Sequence, residues 1–386
     1  METAELIEII SRGEDSRHQF KLNVTNAAQL AAEMVAFSNS GGGKILIGVG
    51  DDQVVHGLTA ADIHRLNQLV SNVASQNVRA AINPISENVS HSNGTVMVVT
   101  IPDGVAKPYM DHGGVIWVKT GADKRPASSR EELQRMFQES SLVHADEIPV
   151  IGTGVGDVDL AYFEKFFDQQ PFDAPLARQS VSLPQLLINM NLMRGESLNL
   201  AAVLLFARAP QYRLPAFIVK AIAYPGAEPD ETAYLDSRDI VGKLADGFQQ
   251  TLGFLSANTG TLQGYQGVNS TGAPEVPRIV WEELIANALV HRDYFVTAPI
   301  RIFVFADRVE IISPGHLPNN LTVENILKGN SNIRNPVLAS FASKLLPYRG
   351  LGNGILRAKK AYAEIEFTDD REANLFKVTV SRPGRS

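Results

Sequence analysis

Apolar positions recur at helical spacing in several stretches of the chain and alternate or run together in others. The first pattern predicts helices over about 2–11, in "NAAQLAAEMVAFSNS", over about 60–78, in "SSREELQRMFQES", over about 237–257 and in "WEELIANALVHRDY". Asn26 stands where the second helix needs an N-cap, and Ser128 or Ser129 with Glu131 or Glu132 makes a capping signal for the fourth. The second pattern predicts strands in "SRHQFKLN", on both sides of the DD turn in "GGGKILIGVGDDQVVHGL", and in "GTVMVVTIP", "GVIWVKTGADKRPA", "LNLAAVLLFA" and "AFIVKAIAYPG". Toward the C-terminus the pattern reads as a hairpin ("PIRIFVF", "RVEIIS"), helices, the loop "PYRGLGNGI" leading into a helix, and a last hairpin ("AEIEFTDD", "LFKVTVSR").

This mixture predicts an α/β (α+β) fold. Residues 1–140 read as one α/β unit. The connection "HADEIPVIGTGVGD" marks a boundary, with 141–195 as linker and helical segment. Residues 196–386 form a third segment of strands and helices, with its core over about 277–386. There is no internal repeat and no low-complexity tract.

The helix "WEELIANALVHRDY" carries two faces. Trp281, Leu284, Ile285, Ala288 and Leu289 form an apolar stripe, while Glu283, Asn287 and His291 step by four along another side. A carboxylate and an amide one turn apart suit a hard divalent cation held by the Asn carbonyl, with Glu polarising water. A solvated polar face is the plainer account. "IISPGHLP" places a turn directly after a buried strand. "RGLGNGI" offers free backbone N–H groups to phosphates and leads into a helix N-terminus, which favours anions.

Composition narrows the classes. With 386 residues, 44% hydrophobic and 20% charged, this is an ordinary globular composition. No apolar run approaches the roughly 18 residues that span a bilayer, and the acidic, amphipathic N-terminus is unlike a signal peptide, so a cytoplasmic protein without a membrane is expected. With no cysteine, disulfides, thiol catalysis and zinc–thiolate sites are excluded, and the eight scattered histidines form no HxH or HxxxH pair. The net charge is −7, and residues 1–140 hold 12 Lys and Arg against 16 Asp and Glu, so any nucleic-acid contact must come from a local patch. Lys119, Lys124 and Arg125 in "VKTGADKRPASSR" are the best such patch. Lys21, and Lys44 beside the Gly41–Gly43 turn, could add phosphate contacts. "SGGGKI" lacks the spacer and hydroxyl residue of a P-loop.

Two resemblances to known families are carried by these motifs. "LIANALVHRDY", "DRVEIISPGHLP", "NIRNPVLASF" and "GLGNGI", within about 277–386, resemble the GHKL ATPase fold, in a branch found in bacterial Schlafen/AlbA-like transcriptional regulators. The resemblance implies ATP and Mg²⁺ as cofactors, with Glu283 as general base and Asn287 as Mg²⁺ ligand. It makes Gly350, Leu351, Gly352 and Gly354 the nucleotide lid. Where that family reads adenine with an Asp in a DxGxG turn, this sequence has Ser313, followed by Gly315 and then Leu317. Asp307 lies in the turn between the hairpin strands and is a poor substitute.

"GEDSRHQFKLN", "MVAFSNSGGGKILIGVGDD" and "VHGL" resemble the Schlafen/AlbA-like domain. In nuclease members of that group, carboxylates from these segments gather metal. Glu14 matches the first, Gln19 replaces the second with a neutral amide, and Asp51 or Asp52 could supply the third. The loss of a charge argues against nuclease activity. Longer members of the regulator family end in a winged-helix segment, which is not expected here. The resulting expectation is an ATP-binding, nucleic-acid-associated (DNA or RNA) regulator that forms a homodimer. A metal-dependent endoribonuclease and a non-enzymatic assembly module are the alternatives.

Overall fold

The computed structural model describes residues 1–139, 142–170, 175–176, 180–230, 233–262, 272–318, 321–350 and 352–383. The chain divides into two compact units, Met1–Val143 and His144–Ser386.

In the first unit, helix α1 (Thr3–Arg12) leads to strand β1 (His18–Lys21), helix α2 (Ala27–Asn39) and strand β2 (Gly43–Ile47). Helix α3 (Ala60–Asn72), strands β3 (Ile85–His91) and β4 (Gly94–Ile101), the hairpin β5 (Trp117–Thr120) and β6 (Asp123–Pro126), and helix α4 (Arg130–Glu139) follow. The sheet order is β1-β2-β4-β3, with β1 and β2 parallel and the other pairs antiparallel. The two-residue period of the strands builds two cores. Ile45, Ile47, Met97 and Val99 face the cluster under α2 and α3, while Leu46, Val96 and Val98 face the cluster of α1. Asn26 caps α2 as expected, accepting from the N–H groups of Ala28 (2.9 Å) and Gln29 (3.2 Å), and Ser129 Oγ accepts from Glu132 N at 3.0 Å.

Three local expectations in this unit change. The helix expected over about 60–78 gives way after Asn72 to one π-helical turn, Val73–Asn77. The second strand expected after the DD turn is a single bridge between Val49 and Val55. Strand β3 was not expected, because its solvent-rich pattern shows one buried residue, Val89.

In the second unit, helices α5 (Leu160–Asp168), α6 (Leu183–Asn189) and α7 (Leu200–Phe206) precede strands β7 (Val219–Ala223) and β8 (Asp236–Ile240) and helices α8 (Leu244–Asn258) and α9 (Arg278–His291). Strands β9 (Ile300–Val304) and β10 (Arg308–Pro314), helices α10 (Val323–Leu327), α11 (Pro336–Leu345) and α12 (Gly354–Ala361), and strands β11 (Ile365–Asp370) and β12 (Leu375–Ser381) complete it. The six strands run in the order β8-β7-β9-β10-β12-β11, with β7 and β9 parallel and the other neighbours antiparallel. Alternate residues of β7 and β9 are buried, so this sheet packs one face against the helices in an α/β sandwich.

Sequence and structure part at three places here. "LNLAAVLLFA", expected as a strand, is the helix α7: every residue of it is buried, so no period distinguishes the two, and Asn199 Oδ1 closes its N-terminus by accepting from Ala202 N at 2.9 Å. The helix expected over about 237–257 begins only at Leu244, because Asp236–Ile240 forms the edge strand β8. The residues from His144 to 195, read as linker and helical segment, are part of the second unit. Ala145, Phe163, Phe166, Phe167, Leu186 and Leu187 belong to the same core cluster as α9.

Candidate functional site

Helix α9 presents both expected faces. Trp281, Leu284, Ile285 and Leu289 are buried, and Glu283, Asn287 and His291 line one cleft. The floor is the helix-facing side of the sheet, with Ile311 and Ser313 of β10, Phe376 and Val378 of β12 and Phe367 of β11. One wall is α9, another runs through Leu321, Ile326 and Asn330–Asn332, and the lip is formed by Tyr348, Arg349, Gly350 and Gly352–Gly354, with Ile355 and Arg357 of α12. The cleft is open to solvent on one side, and the non-atom space along it, open solvent included, is about 1020 Å³.

Each element is held there by an identifiable contact. Gly315 has φ +94°, and a Cβ on it would overlap Asp293 Cβ and lie 2.6 Å from Arg334 Nη1, so the turn after β10 admits no side chain. Asp293 N donates to Pro314 O at 2.8 Å, tying the end of α9 to that turn. Arg334 Nη2 donates to His316 O at 2.8 Å, and Asn335 Nδ2 donates to the carbonyls of Val290 and Arg292. The "RNP" of the sequence is therefore a clamp on the α9 end and its neighbouring turn. Gly350 and Gly352 have φ +65° and +72°, and Gly354 opens α12 directly against the Glu283 carboxylate. Leu351 lies outside the described residues.

The chemistry of the column is uneven. Glu283 is 3% exposed and ion-paired with Arg357, Oε1 to Nη2 2.6 Å. Burial raises its pKa, against the lowering influence of Arg357 and Arg349. Asn287 makes no hydrogen bond to a described residue, so its amide faces the cleft uncommitted. His291 hydrogen-bonds Tyr348 Oη at 2.9 Å, and burial, with the Arg334 charge, pushes it down to about 4, so it is neutral at physiological pH. Arg292 donates to Val296 O and Ala298 O and packs over Phe217 and Tyr294, bracing the chain behind α9. Ser313 pairs in register with Phe376, which pairs with Asp369, so a hydroxyl, a ring and a carboxylate lie in a row across β10, β12 and β11. Asp369 Oδ1 accepts from Leu317 N at 2.7 Å and its other oxygen is ion-paired with Arg371. Asp307 is exposed in its turn beside Arg308 and does not line the cleft.

Sequence reasoning did not single out Arg357, Arg349, Phe367, Phe376 or Asp369. Arg357 had a signal: it is three residues into the helix that begins at Gly354, on the turn that follows the glycine loop. The others come from a distant hairpin and a loop whose register nothing local discloses.

The expected basic patch of the first unit is engaged internally. Lys119 Nζ donates to Gln19 Oε1 at 2.8 Å and to the carbonyl of Ala122, and lies 4.0 Å from Glu33 Oε2 and 4.8 Å over the Phe37 ring. Lys124 pairs with Glu33 at 2.6 Å, Arg125 with Glu132 in a two-pronged bridge, and Lys44 with Glu5 at 2.8 Å. Lys21 ends β1 half-buried. Glu14 Oε1 accepts from Gln19 Nε2 and, at 2.6 Å, from Phe20 N. Asp51 and Asp52 are exposed in the turn after β2, where Asp52 accepts from Val54 N at 3.1 Å. Among the described residues no group of three or more His, Cys, Asp or Glu is arranged to hold a metal ion. The Gln19 amide is instead hydrogen-bonded by a buried ammonium.

Residues 14–128 match the family model described as Schlafen, AlbA_2, and residues 297–380 match the model described as "Putative ATP-dependent DNA helicase recG C-terminal". The chain thus joins an N-terminal Schlafen/AlbA-like domain to a C-terminal ATPase-type domain of the recG C-terminal kind. Among solved structures, the DIP2311 protein of Corynebacterium diphtheriae is similar at 18% identity and TM-score 0.49, covering 99% of this chain and 80% of that one. The N-terminal domain of a putative ATP-dependent DNA helicase RecG-related protein from Nitrosomonas europaea is similar at 18% identity and TM-score 0.23, covering 34% of this chain and 96% of that one. No curated protein matches the chain. Among the described residues, no helix is long and apolar enough to cross a membrane.

Proposed function

We propose that the second unit binds ATP with Mg²⁺ in the cleft beside α9, and that this is the working site of a nucleic-acid-associated regulator. The observation that carries the reading is the uncommitted Asn287 amide, one turn from the buried Glu283 and facing the glycine loop and the start of α12. With no protein partner to give up, the amide can turn its carbonyl oxygen to a ligand in the cleft. The match of residues 297–380 to an ATPase-type family supports the same assignment.

In this reading Asn287 holds the Mg²⁺ through its carbonyl oxygen. The backbone N–H groups of Gly350, Gly352 and Asn353 and the first turn of α12 donate to phosphate oxygens. Ser313 and the turn at Gly315 meet the base, with Phe376 and Phe367 beside it. Glu283 orients water. The metal supplies charge neutralisation across the phosphates.

Thermal unfolding with Mg²⁺ and ATP, ADP or a non-hydrolysable analogue tests this, beside Asn287→Ala. A ligand at a hundred times its Kd stabilises by roughly 2.7 kcal/mol, a shift of a few degrees for a chain of this size. A shift that disappears in Asn287→Ala is expected; no shift with any nucleotide removes the proposal. The first unit is its proposed nucleic-acid contact, through surface pairs such as Arg125–Glu132 that phosphate can displace. Absence of binding to a short fluorescent duplex at low salt, with and without ATP, removes that part alone.

A further inference from the structure

The cleft contains an ion pair that the column on α9 does not explain. Arg357 Nη2 lies 2.6 Å from Glu283 Oε1, and the Nε of the same guanidinium is buried without a partner. The two partners are unequally fixed. The Glu283 side chain is 4% exposed and held in the middle of a long helix, whereas the Arg357 side chain is 28% exposed at the cleft lip. Arg349 stands on the same lip, exposed, and adds positive field at the carboxylate. A carboxylate engaged by a guanidinium has fewer lone pairs for water. A guanidinium with a spare N–H matches the two-oxygen face of a phosphoryl group better than a single carboxylate oxygen.

We propose that Arg357 is the residue that reads the terminal phosphate of the nucleotide, and that its transfer from Glu283 to that phosphate frees the carboxylate to accept a hydrogen bond from water. The inference rests on the nucleotide reading of the cleft. Arg357 sits one turn into the helix that the glycine loop opens, so the element that wraps the phosphates also carries the arginine. With a diphosphate the terminal group is missing and Arg357 stays on Glu283. The ion pair therefore makes the base available only when a triphosphate is present.

Isothermal titration of the full chain with Mg²⁺ and either ADP or a non-hydrolysable ATP analogue tests this, in the wild type, Arg357→Ala, Arg357→Lys and Glu283→Gln. The wild type binds the analogue more tightly than ADP. Arg357→Ala loses that preference by about tenfold or more while keeping its affinity for ADP, which also shows that it is folded. Arg357→Lys falls between them. Glu283→Gln, which withdraws the competing charge, gains several-fold for the analogue and nothing for ADP. If Arg357→Ala discriminates as the wild type does, or Glu283→Gln leaves both affinities unchanged, the inference is overturned while the nucleotide site stands. If Arg357→Ala does not fold, Glu283→Gln decides alone. If the wild type binds neither nucleotide, the reading of the cleft fails and takes the inference with it.

Discussion

Asn335 donates its side-chain amide to the main-chain carbonyl of Val290 at 2.8 Å, and so closes the last turn of the helix that carries Glu283 and Asn287. The same amide reaches Arg292 O at 2.9 Å, and the residue is wholly buried. Removing it strands two carbonyls at a helix end. Asn335→Ala is expected to lower stability by about 2–3 kcal/mol and to weaken nucleotide-induced stabilisation in parallel. Urea unfolding measures the first and thermal melts with ligand the second; an unchanged midpoint would show that the clamp is dispensable.

The glycines of the site are not equivalent. At Gly315 a side chain meets both a left-handed backbone and the body of Asp293, whereas at Gly350 the nearest atom to an added Cβ is a Tyr348 ring carbon at 3.6 Å. Gly315→Ala is expected to cost about 3 kcal/mol or more, and Gly350→Ala about 1 kcal/mol. Equal losses in denaturant titrations of the two variants would contradict this account of the turn.

Asp146 supplies a pH signature. Its Oδ2 accepts from Leu338 N at 2.8 Å near the start of α11, its Oδ1 is buried without a partner, and burial pushes its pKa from 3.8 up to about 6. The folded state then holds this proton more tightly than the unfolded state does. Below pH 3.8 the group is protonated in both states; between 3.8 and about 6 stability falls as pH rises, and above that the full cost of about 3 kcal/mol persists. Asp146→Asn keeps an acceptor for Leu338 N and removes this slope. Melting curves of the two proteins across that window should converge at the acid end and separate toward neutrality in favour of the variant; parallel curves exclude the assignment.

In the first unit, Lys119 and Glu33 are both buried and share one polar network with Gln19 and Lys124. Burial lowers the Lys119 pKa, with Glu33 opposing it. Lys119→Met is expected to destabilise by about 2–3 kcal/mol, since Gln19 Oε1 and the Ala122 carbonyl lose their donor and Lys124 alone is left to balance the Glu33 charge, and Glu33→Gln in the same chain should recover about 1 kcal/mol. A double-mutant cycle with no coupling would mean that the two groups act independently.

Much of this protein was legible in its sequence because the signals were local. Asn26 and Ser129 mark helix starts through hydrogen bonds to residues two or three positions away, so the signal lies within one turn of chain. The column Glu283, Asn287, His291 follows from the helical repeat alone, and all three do line one cleft. The glycine loop and the helix it opens were likewise readable in order. Period failed where burial was complete. In Leu200–Phe206 every position is apolar, so helix and strand look alike until the surrounding core settles which fits.

What only the tertiary structure decided is which charges meet. Lys119 and Gln19 lie a hundred positions apart, and a parallel strand pair, a buried helix and a hairpin place one against the other. That contact turns an apparent basic patch into an internal network. Arg357 and Glu283 belong to different helices, and their ion pair exists because α12 packs on α9. Spacing along the chain specifies neighbours within one element. Pairing between elements depends on register and on the shared burial of apolar faces, and both emerge only when the whole sheet and its helices have assembled.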